Sequence, residues 1–468
     1  MAEKDDWSTD ANEALSISLW QPTNDGPELV GRPFHPRFTY PIFGDEQQIF
    51  GYKGLEINLK YCSSDMRPFL EMKYKDKFQA IGDTEPCDVL GELKKHLPPV
   101  AFGTEPDFIE STLQLAVSDS WKPAGELYTT IQDATGTYEV WKGNLKDPAI
   151  MQLVKRVQIL VLLYIDGGSK IIELDAETGD DRWTVWTLYK KQDDDYIFIG
   201  YSTVYHFYYF DKRITPVRDP SAQLELPNGN FDLAQLDRRA RLSQFIILPP
   251  YQSAGHGQRL YKTIFAHHYN DPQTKQFAVE DPSEAFDDLR DLCDLDFLRS
   301  LPEFRDLTYQ PGVKIPKEGA LPELVDKKTI NALTEKTKMV PRQFMRCVEM
   351  HLMSKLPDSV RPHLERQAPL PTATPDEKRQ LNLWSLFVKS RILVQHRDVL
   401  AELDLPDRLK ALETTLQTIA AGYAKLHAKQ NPAQPESGAK TSGIKRGLEE
   451  AGDVASTSKK ARVEDCED

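Results

Sequence analysis

The most informative hydrophobic pattern lies at residues 241–268, where a strand, a loop and a helix follow one another directly. Leu242 and the run FIIL at 245–248 form a short apolar segment with β-branched residues, typical of a strand buried on both faces. Pro249 and Pro250 end the strand because neither has a backbone N–H to donate. Apolar side chains then recur at helical spacing, namely Leu260, Tyr261, Ile264, Phe265 and His268.

The residues before this unit predict a helix and two strands. Apolar positions at 148–165 cover more than one helical face, which indicates a well-buried helix. Residues 183–189 and 196–210 are rich in aromatic and β-branched side chains and are joined by a polar turn, which predicts two antiparallel strands.

Periodic patterns also appear towards both ends of the chain. Residues 55–61 and 69–74 alternate between apolar and polar side chains and indicate a hairpin or meander in a mixed N-terminal domain. Residues 376–403 and 407–427 predict two long amphipathic helices. Such helices could pack on each other or dock a partner.

The strand that ends at Glu280 is followed by the start signals of a helix. We expect Asp281 to be the N-cap, with Pro282 at the first helical position and Glu284 completing a capping box. Glu280 has no comparable structural role in the sequence. It lies between a strand and a helix, where open sheets usually place their chemistry, so we expect it to be catalytic.

Composition excludes several classes of protein without selecting an activity. The 468 residues allow two to four domains, and 40% hydrophobic and 28% charged residues are ordinary for a globular protein. A net charge of −14 disfavours a nucleic-acid-binding body and suits a basic partner, although acidity that only maintains solubility explains it equally well. Five scattered cysteines without a C-x-x-C pair predict neither disulfides nor a zinc site.

The two termini predict where the protein resides. A polar N-terminus and the lack of 18 consecutive apolar residues predict a soluble, intracellular chain. After residue 430 the chain is rich in Pro, Ser, Gly, Lys and Glu, which predicts disorder. Two basic clusters, KR at 445–446 and KKAR at 459–462, are separated by twelve residues and match a bipartite nuclear import signal. We expect the protein in both cytoplasm and nucleus.

The loop QSAGHG at 252–257 is suited to binding a phosphate. Backbone N–H groups at the start of a helix attract anions, and glycines at 255 and 257 let a ligand approach the backbone. A P-loop would need G-K-[ST], and a dinucleotide fingerprint would need a small residue at Leu260, so neither motif fits. The pattern Q-x-x-G-x-G remains, which resembles the pyrophosphate loop of the GCN5-related N-acetyltransferases, although an ordinary strand-to-helix turn could share it.

The flanking residues resemble the catalytic subunit of type B histone acetyltransferases. The resemblance rests on FIILPPYQSAGHGQRLYKTIF and AVEDPSEAFDDLRDL, is dense from Trp183 to Leu295, and reappears at residues 43–61. It implies an α+β (α/β) fold, the GCN5-related N-acetyltransferase fold, with an N-terminal mixed α/β domain and a C-terminal helical domain. The expected parts are a disordered segment 1–12, the N-terminal domain 13–147, the acetyl-CoA-binding domain 148–295, a helical region 296–430 and a disordered tail 431–468.

The resemblance also implies the residues of the site. The cosubstrate is acetyl-CoA, no metal is expected, and Glu280 is the general base with Asp281 and Asp181 as candidate helpers. Asp181 is a departure, because relatives carry glutamate there. The implied cofactor-binding residues are Phe245, Ile246, Ile247, Gln252, Ser253, Ala254, Gly255, His256, Gly257, Gln258 and Ser283. The implied substrate-binding residues are Asp45, Glu46, Gln47, Tyr205, His206 and Phe207.

The implied activity is acetylation of lysines in the N-terminal tail of newly synthesised core histone four, bound to histone three, before chromatin assembly. The implied partner is a WD-repeat β-propeller histone chaperone, with no membrane and no direct nucleic acid. One alternative keeps the fold but acetylates a protein N-terminus or a polyamine. Another is a non-catalytic histone-binding scaffold, which the intact loop 252–257 and Glu280 disfavour.

Overall fold

The computed structural model describes residues 7–23, 26–116, 121–173, 181–193, 195–209, 235–316, 321–363 and 372–430. The strands are β1 (Ser8–Asp10), β2 (Leu15–Gln21), β3 (Glu28–Phe34), β4 (Gln48–Phe50), β5 (Tyr52–Lys53), β6 (Glu56–Cys62), β7 (Pro68–Lys73), β8 (Asp76–Lys77), β9 (Glu126–Asp133), β10 (Gly136–Asn144), β11 (Trp183–Gln192), β12 (Asp195–Tyr208), β13 (Arg238–Ile247) and β14 (Thr274–Val279).

The α-helices alternate with these strands and then continue alone towards the C-terminus. They are α1 (Ala11–Ala14), α2 (Tyr40–Phe43), α3 (Val89–Lys94), α4 (Glu105–Ala116), α5 (Pro148–Val157), α6 (Ile159–Tyr164), α7 (His256–Asn270), α8 (Glu284–Ser300), α9 (Pro302–Arg305), α10 (Lys327–Thr337), α11 (Pro341–Ser354), α12 (Pro375–Gln395), α13 (Arg397–Ala401) and α14 (Leu405–Gln430).

A six-stranded sheet in the order β14-β13-β12-β11-β10-β9 divides two hydrophobic cores. Its strands are antiparallel except for the parallel pair β13–β14. Successive side chains of β10 point to opposite faces of the sheet, so Val140 lies in the core with α7 and α8 and Trp141 lies in the core with α5 and α6. The four-stranded sheet β3-β2-β6-β7 covers the second core. The strand–loop–helix predicted at 241–268 is therefore confirmed at the centre of the molecule, as β13 followed by α7.

Three predicted boundaries differ from the structure. Residues 7–12 are ordered rather than disordered, because β1 pairs with β4 and the Asp10 side chain caps α1. The predicted helix 148–165 is interrupted at Gln158, between α5 and α6. The large sheet begins at β9, ahead of the predicted domain start at residue 148.

The predicted cap of α8 is wrong. Asp281 has a φ of 31°, whereas Ser283 has the extended backbone of an N-cap and its Oγ accepts the Phe286 N–H at 3.3 Å. The helix therefore begins at Glu284, too late for that residue to complete a capping box. A capping box does form at α12, between Thr374 and Glu377.

The two long C-terminal helices pack on the body of the protein. Trp384 of α12 and Tyr423 of α14 are buried, and Glu349 of α11 lies between them. The Glu349 carboxylate accepts hydrogen bonds from Arg391 Nε at 2.6 Å and from the Tyr423 hydroxyl at 2.8 Å. Self-packing, one of the two alternatives for these helices, is thus what the structure shows.

The predicted tail 431–468 and its basic clusters lie outside the described residues. In the part of the chain that is described, no helix has the length and apolar character needed to cross a membrane.

Candidate active site

Strand β13 contains a bulge at Ser243. Thr203 and Val204 are adjacent on β12, but their partners Gln244 and Leu242 are two residues apart, so Ser243 is the extra residue. In a regular strand Leu242 and Ile246 would share a face, because they are four residues apart. Here Leu242 lies in the core with α7 and Ile246 in the core with α6, so the bulge exchanges the two faces of the strand. Bulges are common beside active sites, where they re-aim a side chain.

Beyond the bulge, one edge of β13 is open, since no strand among the described residues pairs with it. β14 pairs with β13 only as far as Val279 and Leu242, and the Glu280 N–H donates to the Leu242 carbonyl at 2.9 Å. On the other edge, the N–H of Leu248 donates to Ile199 of β12 at 3.0 Å. Because successive peptide groups alternate in direction, Phe245 and Ile247 present their N–H groups to the open edge. An extended ligand can add there as a strand.

A cleft of about 310 Å³ lies at this open edge. It contains seven of the predicted cofactor-binding residues, namely Phe245, Ile246, Ile247, Gln252, Ser253, Gly257 and Ser283. It also contains residues that the sequence did not indicate, namely Arg37, Tyr164, Ala285, Phe286 and Leu289. Arg37 and Tyr164 come from segments far away in the chain, so no local motif could have identified them.

A larger cleft of about 660 Å³ lies beside β7, α4 and α5. Phe69, Phe108 and Arg156 are among its lining residues, and it contains none of the residues predicted for catalysis or binding. Size alone would therefore not select the cleft beside β13.

The loop between β13 and α7 has the backbone expected of an anion-binding loop. Gly255 is the N-cap of α7 with φ 80° and ψ 0°, a left-handed conformation that favours glycine, and no side chain caps the helix. The first N–H groups of α7 have no intrahelical acceptor, so they can bind an anion. The Gln252 side chain donates to the Ile247 carbonyl at 2.8 Å and closes the loop.

Two loop residues have structural reasons for their identity. A Cβ at Gly257 would lie 2.5 Å from Leu289 Cδ1, so this glycine lets α7 pack closely against α8. The ring of His256 is 6% exposed and packs edge-on against Tyr138 with centroids 5.0 Å apart. The other four predicted cofactor-binding residues, Ala254, Gly255, His256 and Gln258, are not among the residues that line the cleft.

Glu280 is held by two side chains of β13. Ser243 Oγ donates to one carboxylate oxygen, and Arg241 forms an ion pair with the other at 3.1 Å. The expectation that Glu280 lacks a structural role is therefore wrong, because these contacts join the end of β14 to β13. About one third of the Glu280 side chain remains exposed, so the carboxylate is accessible to a substrate.

Aromatic residues continue from this carboxylate across the sheet. The Arg241 guanidinium lies 4.7 Å from the Phe207 ring centroid, the Phe207 ring is 4.7 Å from Tyr205, and Tyr205 is 4.9 Å from Trp183. Two predicted substrate residues, Tyr205 and Phe207, thus share the face of Arg241. The sequence does not indicate Arg241, Ser243 or Trp183. Arg241 and Trp183 lie opposite Tyr205 on the two neighbouring strands, and Ser243 is the bulged residue, so all three depend on strand register and not on a local motif.

His206 lies on the opposite face of β12. Its ring is 7% exposed and lies 5.6 Å from the buried ring of His268. Burial, together with the charge of Arg238, lowers the His206 pKa to about 4, so the imidazole is neutral at pH 7. Its side chain therefore lies away from the surface of Tyr205 and Phe207, where the predicted substrate contact would have to form.

The two candidate helpers of Glu280 are placed differently. Asp281 follows Glu280 directly and is exposed. Asp181 precedes β11, which is three strands from β14, or ~14 Å at the usual strand spacing. The carboxylate of Asp181 pairs with Lys146 at 2.9 Å. The structure thus brings Asp281, and not Asp181, next to Glu280.

The predicted substrate loop 45–47 lies after α2. Asp45 and Glu46 are exposed, whereas Gln47 accepts the Thr39 N–H at 2.9 Å and an Asn12 side-chain N–H at 3.1 Å. Gln47 therefore has a structural role in holding the loop.

Hydrogen bonds connect α2 to strand β13. The Tyr40 hydroxyl donates to Asp166 at 2.8 Å, and further along the same turn the Ser169 carbonyl accepts from the Gln244 side chain at 2.8 Å. Because Gln244 is adjacent to Ser243, the acidic loop is tied to the strand that holds Glu280.

Among the residues that the structure describes, no three His, Cys, Asp or Glu side chains are close enough to hold a metal ion. The chemistry available at this site is that of backbone donors, the guanidinium of Arg37, the carboxylates of Glu280 and Asp281, and an aromatic surface.

Comparisons with known proteins show which family this chain resembles. The family described as histone acetyl transferase HAT1 N-terminus matches residues 7–166. A histone acetyltransferase type B catalytic subunit from Gibberella zeae is 45% identical over the full length of both chains, and one from Pyricularia oryzae is 44% identical, also over both full lengths. An aminoglycoside acetyltransferase structure from a soil metagenomic sample covers 40% of this chain and 96% of its own at 13% identity, but its TM-score of 0.20 is too low to support an argument.

Proposed function

Because this chain belongs to the family of type B histone acetyltransferase catalytic subunits, we propose that its substrate is the N-terminal tail of newly synthesised core histone four. The chain is an acetyltransferase that acts on histones. The finer proposal is that it acetylates tail lysines before chromatin assembly, with Glu280 as general base. The observation that best supports it is the cleft in which the open edge of β13 meets the loop of α7, close to Glu280.

The cleft fits acetyl-CoA. The N–H groups of Phe245 and Ile247 can pair with the amide groups of the pantetheine arm, as a strand would. Residues 252–258 provide backbone N–H groups and the positive end of the α7 dipole for the pyrophosphate. Ser283 and Phe286 of the α8 segment also line the cleft. Bound there, acetyl-CoA supplies a thioester that an amine can attack directly.

The role proposed for Glu280 is to remove a proton from the substrate. A lysine side chain has an ordinary pKa of about 10.4, so at neutral pH almost all of it is a cation that cannot attack a carbonyl. Glu280 lies at a strand end beside the open edge, and both of its oxygens keep a lone pair beyond the contacts with Ser243 and Arg241. The carboxylate can accept the proton directly or through one water molecule.

The electrostatics of the acceptor side support a basic substrate. Asp45, Glu46 and Asp166 are exposed on the loops connected to β13, and the whole chain carries a net charge of −14. Tyr205 and the partly exposed Phe207 offer an aromatic surface for the aliphatic stem of a lysine, beside the Arg241 guanidinium that already lies over Phe207. A glycine-rich, lysine-rich tail suits such a surface better than a small polyamine, because it can contact the rings and the acidic loop together.

The family resemblance further suggests a WD-repeat β-propeller histone chaperone as partner, which would present histone four bound to histone three. We propose that this partner raises the rate on the histone complex and not on a free peptide, since a tail peptide needs no presentation.

Steady-state rates on different amines test the proposed substrate. We expect kcat/KM to be highest for a histone-four tail peptide, lower for a polyamine, and lower for a peptide whose only amine is its N-terminus. We also expect free histone three–histone four complex, with the chaperone added, to be acetylated faster than nucleosomes. Equal rates on tail peptide and polyamine, with normal binding of coenzyme A by calorimetry, would favour the broader amine acetyltransferase.

A further inference from the structure

Arg259 stands two residues after Gly257, where a cation could be expected to bind phosphate directly. Its guanidinium is instead directed at the turn between β9 and β10. Nε donates to Asp133 Oδ2 at 2.9 Å, and NH2 donates to the same carboxylate and to Thr135 Oγ1 at 3.0 Å. Only about 15% of the Arg259 side chain is exposed.

The same guanidinium also holds the cofactor loop. Its NH1 donates to the Ala254 carbonyl at 2.9 Å and approaches His256 Nδ1 at 3.2 Å. The Tyr138 ring lies beneath it, 4.5 Å from the guanidinium carbon. An arginine has five N–H donors in one planar group, and the acceptors named here are distributed around all three nitrogens. Few of its donors remain for a ligand.

Fixing the Ala254 carbonyl has a consequence for the neighbouring donor. In a trans peptide the C=O and N–H point in opposite directions, so holding the Ala254 carbonyl towards Arg259 turns the Gly255 N–H away from it. Gly255 has a left-handed backbone and no side chain to restrain it, so this peptide could otherwise rotate. Arg259 thus fixes the direction of the Gly255 N–H, one of the backbone donors at the start of α7.

The carboxylate partner is itself preorganised. Asp133 Oδ1 accepts the Thr135 N–H at 2.8 Å and also the Thr135 hydroxyl, leaving Oδ2 for Arg259. These hydrogen bonds from Thr135, followed by that of Arg259, lower the Asp133 pKa to about 2, so it stays ionised at physiological pH.

We propose that Arg259 is a positioning residue, which sets the pyrophosphate loop by tying it to the β9–β10 turn through Asp133, and is not itself a phosphate ligand. The inference rests on the proposed binding of acetyl-CoA at residues 252–258. It assigns a role in cofactor binding to a hairpin that contributes no residue to the cleft.

The test compares Arg259→Gln, Arg259→Lys and Asp133→Asn with wild type. Calorimetry with coenzyme A should show a dissociation constant raised about tenfold in Arg259→Gln and in Asp133→Asn, equivalent to 1.4 kcal/mol. Arg259→Lys should recover only part of the loss, because one ammonium cannot reach both the turn and the loop. The double variant should bind no worse than either single variant, since the two side chains act as one contact.

Kinetics separate positioning from a general loss of structure. The KM for acetyl-CoA should rise with the dissociation constant, whereas kcat at saturation and the KM for the tail peptide should stay within about twofold of wild type. Binding of S-acetylpantetheine, which lacks the pyrophosphate, should be unchanged. The control is Lys262→Gln, which removes a cation from the next turn of α7 that pairs with Asp296 at 3.2 Å, and it should behave as wild type.

Asp133→Asn decides between the two roles of Arg259. If Arg259 were a phosphate ligand, releasing its guanidinium would leave coenzyme A binding unchanged or tighter, and that result would overturn the inference. Equal weakening of coenzyme A and S-acetylpantetheine would overturn it as well, by indicating a distorted cleft. If wild type itself failed to bind coenzyme A, the proposed function would be wrong, whatever the variants did.

Discussion

The two halves of the candidate site are built in different ways. The cofactor half comes mainly from one continuous stretch, residues 245–257, and offers backbone N–H groups. The acceptor half is made of side chains from β12, from β13, from the segment that follows β14 and from the loop after α2, which are far apart in the sequence. In the cofactor half, glycines and a helix start determine the shape. In the acceptor half, a bulge and several long-range contacts do so.

This difference indicates how each half should respond to substitution. A backbone site depends on the conformation of the main chain, so it is damaged by an added Cβ or by loss of an anchor such as Arg259. A side-chain site depends on the chemistry of individual groups, so a substitution of the same size can abolish a step without disturbing cofactor binding. Variants in one half should therefore leave the measured properties of the other half largely intact.

The largest effect is expected in the acceptor half, from Glu280→Gln. The amide keeps the size of the side chain and can still accept the Ser243 hydrogen bond, but it cannot accept a proton. We expect kcat to fall by ~10²–10⁴-fold at neutral pH, with an unchanged dissociation constant for coenzyme A. The rate of the variant should recover at high pH, where more of the lysine is already neutral.

The matched control is Arg241→Gln, which removes the ion-pair partner of Glu280 and keeps the carboxylate. If Glu280 is the base, this variant should lose far less kcat than Glu280→Gln. Equal losses in both variants would mean that the ion pair positions the site and that Asp281 or a water chain takes the proton.

The next effect is expected in the cofactor half, from Gly257→Ala. The new Cβ would lie 2.5 Å from Leu289 Cδ1, so the Leu289 side chain, which lines the cleft, would have to shift. We expect the dissociation constant of coenzyme A to rise about tenfold, a loss of 1.4 kcal/mol, while the KM for the tail peptide changes little. Gly422→Ala, in α14 with open space around the new Cβ, is the control and should bind coenzyme A normally.

A second substitution identifies the cause. Leu289→Ala makes room for the added methyl group, but Leu289 itself lines the cleft, so the double variant is compared with Leu289→Ala alone. If the contact with Leu289 is at fault, Gly257→Ala should cost less affinity in that background than in wild type. An equal cost in both backgrounds would indicate that the Cβ obstructs the bound anion itself, as the sequence alone suggests.

The same contrast explains what the sequence could predict. The strand, loop and helix of the cofactor half follow from apolar periodicity, two prolines and two glycines, which act within a few residues. The partners of Glu280 could not be predicted, because Ser243 reaches it only through a bulge that depends on pairing with β12. His206 was assigned to the substrate surface together with its neighbours, although strand alternation alone places it on the other face from Tyr205 and Phe207.

Helix α8 shows the same limit on a smaller scale. Asp281, Pro282 and Glu284 carry every local signal of a helix start, yet the helix begins only at Glu284. Asp281 follows the contact in which the Glu280 N–H extends the pairing with β13, and it adopts a left-handed backbone there. A long-range strand contact therefore overrides the local capping preference.

The smallest effect is expected at the acidic loop, from Asp45→Asn. Asp45 is exposed, so its attraction to a basic tail acts through solvent and is worth about 0.2–1 kcal/mol. We expect the KM for the tail peptide to rise by about 1.4- to fivefold, with kcat and the dissociation constant of coenzyme A unchanged. Because mobile ions screen exposed charges, the difference from wild type should shrink as salt increases.

Glu110→Gln, which removes an exposed charge on α4, controls for net charge and should leave the KM unchanged. If both variants raised the KM equally, the tail would be attracted by the overall charge of the protein. A change in kcat for Asp45→Asn would instead mean that this loop also helps to orient the lysine beside Glu280, so that the two ends of the acceptor half act together.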